Sequence, residues 1–408
     1  MRLSPAFGPL LLAVVVATKP ILVDRSPISF ELTRKLNVTS GHNLVQAGKQ
    51  RVQKLKALAL KKEGQAVDEG LIDEPVTNEA VIYSADVGVG ADATKYSLIV
   101  DTGSSNTWVG ADKKYSKSST SKDTGSGVSV SYGSGYFSGE EYTDKVTITS
   151  DLVIDSQSIG VADTSSGFTG YDGILGIGPT SLTQGTLENS NDEIPTVVDS
   201  AFKQGLIDDQ VISVYFQPTT KEEDQNGELI WGGVDDSKHT GDIKYTPVTK
   251  TSPASNYWGI DQSIKYGDTV ILKKNAGITD TGTTLLYLAS DAYKAYAKAT
   301  GAKVDNSVGL LSITKDQFSK LKSLFFNIGD DTYEFTANAQ IWPRALNSVI
   351  GGSDDAIYLV VADIGTPSGQ GLDFINGYAF LERFYTVYDS GKGQIGFATT
   401  EYTDAETN

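Results

Sequence analysis

The chain has 408 residues, 39% hydrophobic and 21% charged, which suits a folded protein of two lobes or one large β domain and argues against disorder outside the ends. It has no cysteine and two histidines, His42 and His239, which excludes a thiol nucleophile, a thiolate metal site and an iron–sulfur cluster. The net charge of −17 is uneven, because residues 1–65 carry eleven Lys or Arg against three acids, leaving −25 on the remainder.

After Met1-Arg2, the apolar run Pro9–Ala17 falls short of the roughly 20 residues that span a bilayer. It reads as a signal peptide, residues 1–17, cut near Ala17. A basic segment follows, in which Leu44–Leu60 places Leu, Val and Ala at helical intervals with Lys and Arg between them, an amphipathic helix. Nucleic-acid arm, membrane-surface helix and propeptide are all compatible with that pattern. The acidic remainder favours a segment that neutralises the body to which it is attached. Asn37-Val38-Thr39 is the only N-glycosylation sequon and falls in this segment, so a processed protein would lack N-glycans.

Gly64–Thr77 is acidic and contains proline, an exposed and cuttable linker, with processing expected near Gly70. Beyond Asn78, short runs of Val, Ile, Tyr and Thr broken by Gly, Ser and Asp predict an all-β fold with few helices. Two helices stand out: Pro195–Gly205, and Ser290–Gly301 with Ser290 as N-cap and a closing glycine. His239 sits in Lys238-His239-Thr240-Gly241, a polar turn, and no G-x-S-x-G precedes it to make a Ser-His-Asp triad.

One phrase occurs twice. Leu98-Ile99-Val100-Asp101-Thr102-Gly103-Ser104-Ser105 returns 179 residues later as Gly277-Ile278-Thr279-Asp280-Thr281-Gly282-Thr283-Thr284. An apolar run leads into each aspartate and glycine permits a sharp turn, so each carboxylate stands at a strand end. The hydroxyls of Ser104 and Thr283 and nearby backbone N–H groups can hold it there. A single copy is a common turn; two with matching flanks predict two similar halves that share a cleft.

With these motifs the sequence resembles the pepsin-like aspartic endopeptidases, in particular the cysteine-free acid proteases secreted by wood-decay fungi. The likeness spans roughly residues 78–400 and includes Trp108-Val109 after the first motif, Ser131-Tyr132-Gly133-Ser134-Gly135, Tyr171-Asp172-Gly173-Ile174-Leu175-Gly176, Leu229-Ile230-Trp231-Gly232-Gly233 and Ile395-Gly396-Phe397-Ala398. It implies a bilobal, mostly β fold with lobes at 71–245 and 246–408, catalytic Asp101 and Asp280, and support from Gly103, Ser104, Gly282 and Thr283. It implies a mobile flap carrying Tyr132, Gly133 and Ser134, with Tyr132 bonded to Trp108. Trp108, Tyr132, Tyr171 and Ile174 would line an apolar pocket. Because Ser134 is uncharged, large hydrophobic residues are expected around the cut.

The resemblance also makes residues 18–70 a propeptide covering the cleft, with an unidentified Lys or Arg between the two carboxylates. It implies an exported monomer that acts on protein and peptide substrates, needs no metal or organic cofactor, and binds neither nucleic acid nor membrane. Two positions depart from the family pattern, Asn376 where an aliphatic residue is common and Tyr378 where aspartate is common, which puts the packing behind Asp280 in question. A two-carboxylate glycosidase would not explain the hydroxyl residues after each Asp-Thr-Gly. A catalytically inactive protein of the same fold is the alternative that the presence of Asp101, Asp280 and Tyr132 argues against. The negative charge of the body predicts lower stability at neutral than at acid pH.

Overall fold

The computed structural model describes residues 26–66, 80–132 and 135–408. The expected signal peptide, the processing site near Gly70, and flap residues Gly133 and Ser134 lie outside the described residues.

The first two described elements belong to the basic segment. Strand β1 (Ile28–Asn37) alternates apolar and polar residues and is followed by helix α1 (Gly41–Lys62), which extends the expected Leu44–Leu60 at both ends. Ser40 accounts for the earlier start, since its side chain accepts the Asn43 N–H at 3.1 Å. Lys61 and Lys62 in the last turn suit the negative end of the helix dipole. One face of α1 is buried along Leu44, Arg51, Val52, Leu55 and Ala59. Burial of a side chain such as Leu55 contributes about 1.5–3 kcal/mol.

Among the described residues the largest sheet has 13 strands. Within it β1 is not an edge. It pairs antiparallel on one side with Glu223–Trp231 and on the other with β2 (Ala80–Val89), which then pairs with β3 (Thr94–Asp101). The sheet crosses the expected lobe boundary at 245, because Phe384–Asp389 pairs with Val211–Phe216 and Gln394–Thr399 lies beyond it. A second sheet of seven strands places Thr269–Thr279 between Gly259–Tyr266 and Phe374–Asn376. The fold is mostly β and bilobal, as the sequence leads one to expect.

The two internal helices are found with altered starts. The first runs Val197–Lys203, capped by Thr196 rather than led by Pro195, with Thr196 and Asp199 bonding reciprocally. The second runs Ser290–Thr300 and closes on Gly301 at φ 71°, as expected, but Ser290 is not its N-cap. The capping position is Ala289, and the Ser290 hydroxyl instead donates to Asp363 at 2.6 Å.

Candidate active site

The doubled motif forms two turns that face each other. Asp101 Oδ1 accepts the Gly103 N–H at 2.9 Å and its Oδ2 accepts the Ser104 hydroxyl at 2.6 Å. Asp280 repeats the pattern with the Gly282 N–H at 3.0 Å and the Thr283 hydroxyl at 2.6 Å. The intervening threonines lock the turns together. Thr102 N–H donates to the Thr281 hydroxyl at 2.9 Å, and Thr281 N–H to the Thr102 hydroxyl at 3.0 Å. Both strands deliver their aspartate beside a parallel neighbour, β3 next to Gly173–Gly176 and Thr269–Thr279 next to Phe374–Asn376.

Between the carboxylates lies Arg51 of α1. Its Nη2 donates to Asp101 Oδ1 at 2.7 Å and to Asp280 Oδ1 at 2.8 Å, while Nε donates to Asp280 Oδ2 at 2.6 Å. This planar fork is what arginine offers a carboxylate and lysine does not. The approach needs glycine on both sides, because a Cβ at Gly282 would stand 2.1 Å from Arg51 Nη2 and one at Gly103 2.5 Å. Burial pushes the Asp280 carboxyl up, but the charge and hydrogen bonds of Arg51, with those of Thr283 and Gly282, more than reverse this and hold it below its ordinary value. Burial also opposes the charge on Arg51, and the two aspartates outweigh it, so the guanidinium is held ionised.

Tyrosines of the body fasten the helix backbone. Tyr257 Oη donates to the Leu55 carbonyl at 2.8 Å and Tyr287 Oη to the Val45 carbonyl at 3.0 Å. A cavity of about 500 Å³ remains beside Asp101, bounded by Leu55, Leu58, Ser104, Tyr132 and Tyr257.

Trp108, Tyr132, Tyr171 and Ile174 do come together, in one apolar cluster with Phe137 and Phe168. They pack on one another rather than enclosing an open pocket, and of the four only Tyr132 borders the cavity. The expected Tyr132–Trp108 contact is present but loose: the Trp108 indole N–H acts on the Tyr132 phenol, without the geometry of a full hydrogen bond. The two rings stack with centroids 6.3 Å apart. His239 lies in its expected turn, with Nδ1 2.7 Å from the Gly241 carbonyl.

The departures from the family pattern are accommodated. The Asn376 side chain exchanges two hydrogen bonds with that of Gln262, at 2.9 and 3.1 Å, and its backbone carbonyl accepts the Asp280 N–H at 3.2 Å. The Tyr378 ring packs against Tyr83 and Phe216. Sequence reading left Arg51 unidentified among the basic residues and missed Gln262. A signal for Arg51 was present, since it lies seven residues after Leu44 and four before Leu55, a cation on the apolar face of the helix.

Comparison with known proteins gives this geometry its context. The description Eukaryotic aspartyl protease matches residues 82–400, a span that contains both turns. The chain belongs to that family. It is 60% identical over 336 residues to polyporopepsin of Irpex lacteus, covering 82% of this chain and 98% of that protein. Vacuolar protease A of Aspergillus fumigatus is 33% identical over 334 residues, 78% of each chain. The crystal structure of the aspartic proteinase from Irpex lacteus superposes with a TM-score of 0.78 at 60% identity, covering 80% of this chain and 96% of that one. As a member of the eukaryotic aspartyl proteases, the protein is an acid aspartic endopeptidase that cleaves peptide substrates.

Proposed function

We propose that Asp101 and Asp280 are the catalytic pair and that residues 18–70 are a propeptide which holds the enzyme as a zymogen through Arg51. The observation that carries this reading is the single guanidinium nitrogen shared by the two carboxylates, 2.7 and 2.8 Å away. Carboxyl groups close enough to share one donor cannot both ionise easily once that donor leaves, and they then hold one proton between them. Pepsin is the type case of such a pair. The ionised member takes a proton from a water molecule while the protonated member polarises the substrate carbonyl. The water oxygen adds to carbon, a tetrahedral diol forms, and the C–N bond breaks as the nitrogen receives a proton, with no covalent enzyme intermediate. The pair's two apparent pKa values then belong to both residues together.

Arginine stays charged throughout the accessible pH range, so the switch lies with the carboxylates. Asp280, held low by Arg51, keeps the clamp above the ordinary carboxylate range; the clamp is lost as pH falls through the depressed value. Departure of α1 frees Tyr257, Tyr287 and the cleft for an extended substrate. Tyr132 then shifts, opening the apolar cluster of Trp108, Tyr171 and Ile174 to a large hydrophobic side chain, the preference that the uncharged Ser134 also suggests. The enzyme is read as an exported monomer.

Cleavage of denatured protein from pH 2 to pH 8 by acid-treated protein, beside Asp101→Asn and Asp280→Asn, tests the assignment. Acid-limited activity lost in both variants supports it; activity that survives either substitution defeats it.

A further inference from the structure

Behind the two turns the lobes differ in one respect. In the N-terminal half, Val100, the residue before Asp101, pairs with Leu175, and Gly176 follows. In the C-terminal half, Thr279, the residue before Asp280, pairs with Asn376, and Gly377 follows. Leu175 and Asn376 thus hold equivalent places, and both are fully buried. The fold itself accepts leucine there, so the polar residue needs another reason.

Asn376 is not alone. Gln262, also fully buried, lies on Gly259–Tyr266, and the two side-chain amides bond reciprocally. Those residues stand on the two strands that flank Thr269–Thr279, the strand that ends one residue before Asp280. The amide pair therefore fastens both neighbours of the strand that carries the carboxylate. Asn376 also receives the Asp280 N–H directly on its backbone carbonyl.

We infer that the Gln262–Asn376 amide pair is a positioning element for Asp280. Apolar contact at this place, as at Leu175, tolerates small slides and rotations. Two antiparallel amide hydrogen bonds are satisfied in one arrangement, and in a dry interior any other leaves donors and acceptors unpaired. The pair holds Phe374–Asn376 at one setting, and the Asp280 turn hangs from that strand. Among the described residues the N-terminal turn has the apolar Leu175 at this place, so the two carboxylates are positioned by different means. This inference rests on the reading of Asp280 as catalytic.

The test compares Asn376→Leu, Gln262→Leu, the double leucine variant and the exchanged variant Gln262→Asn/Asn376→Gln, each as acid-activated full chain, with Asp280→Asn as control. Each single leucine variant strands one buried amide and is expected to lose about tenfold in kcat, with KM within about twofold of the parent. The exchanged variant, which keeps both amides, is expected to recover most of that loss, whereas the double leucine variant, which relieves the stranded amide but leaves only apolar contact, is expected to regain Tm while kcat stays low. Single variants that keep the parental kcat while only Tm falls would show a packing role and overturn the inference. A double leucine variant that regains the parental kcat, or an exchanged variant whose loss is undiminished, overturns it too. Should Asp280→Asn cleave like the parent, the catalytic reading fails first and the inference with it.

Discussion

Asp280 and Glu141 are both buried carboxyl groups, and the structure treats them in opposite ways. Asp280 is met by the Arg51 guanidinium, the Thr283 hydroxyl and the Gly282 N–H, and its carboxyl is held below the ordinary value. Glu141, in the middle of Gly135–Thr149, has the Ser158 hydroxyl on one oxygen and no partner on the other, and burial pushes it up to about 7. Burial costs each of them the same kind of solvation; what separates them is whether a cation shares the site. The two therefore work against each other along the pH axis. The Asp280 contribution is present above the unfolded carboxylate value and is lost as pH falls through the depressed one. The Glu141 group binds its proton more tightly folded than unfolded, so stability declines as pH rises from the unfolded value to about 7.

The strongest way to break this contrast is Arg51→Gln. Removing one partner of a buried ion pair typically costs about 3–5 kcal/mol, here borne by the docking of α1. Limited proteolysis of the basic segment should show α1 protected in the parent at pH 6 and exposed below the ordinary carboxylate range, and exposed in the variant at both. Protection of the variant equal to that of the parent would mean that the clamp does not hold the segment. Arg51→Lys keeps the charge without the fork and should fall between them.

Glu141→Gln addresses the other half. A carboxyl raised from about 4.5 to about 7 corresponds to about 3 kcal/mol lost at pH 8. The variant is expected to melt at higher temperature than the parent at pH 8 and at a similar temperature at pH 4. Equal Tm differences at the two pH values would assign the effect to packing instead. This single group gives local content to the neutral-pH instability that the acidic composition suggests.

Thr283→Ala sharpens the Asp280 side. The lost hydroxyl is a charge-assisted donor at 2.6 Å, worth about 1.5–3 kcal/mol. Without it the Asp280 carboxyl rises, and the pH at which α1 becomes accessible to protease should move upward. An unchanged midpoint would leave Arg51 alone responsible for the depression. The smallest effect is expected from Tyr257→Phe, which removes a neutral hydrogen bond to the Leu55 carbonyl worth about 1 kcal/mol. It should weaken protection of α1 about fivefold without changing its pH dependence, since the phenol does not titrate in this range.

Much of the site was legible because its contacts are local. Gly103 and Ser104 stand two and three residues after Asp101, Gly282 and Thr283 likewise after Asp280, and such spacings are read directly from a repeated phrase. The alternation of short apolar runs and turn residues likewise announced a β protein. The same reading misplaced Ser290 as a cap, because the choice between capping and a bond to Asp363 depends on a residue 73 positions away. It grouped Tyr132 with Trp108 correctly but did not find Phe137 and Phe168, which pack on the same rings from distant stretches of chain.

By itself, the sequence determined the strand-rich class, the helix in the basic segment, the two carboxylates and their immediate donors, since each of these follows from periodicity or from neighbours within one turn. Only the tertiary structure decided that Arg51 reaches Asp280 from 229 residues away, and that Gln262 meets Asn376 across 114. Those pairings depend on how strands register and which face a helix turns inward, quantities that no single stretch of chain contains.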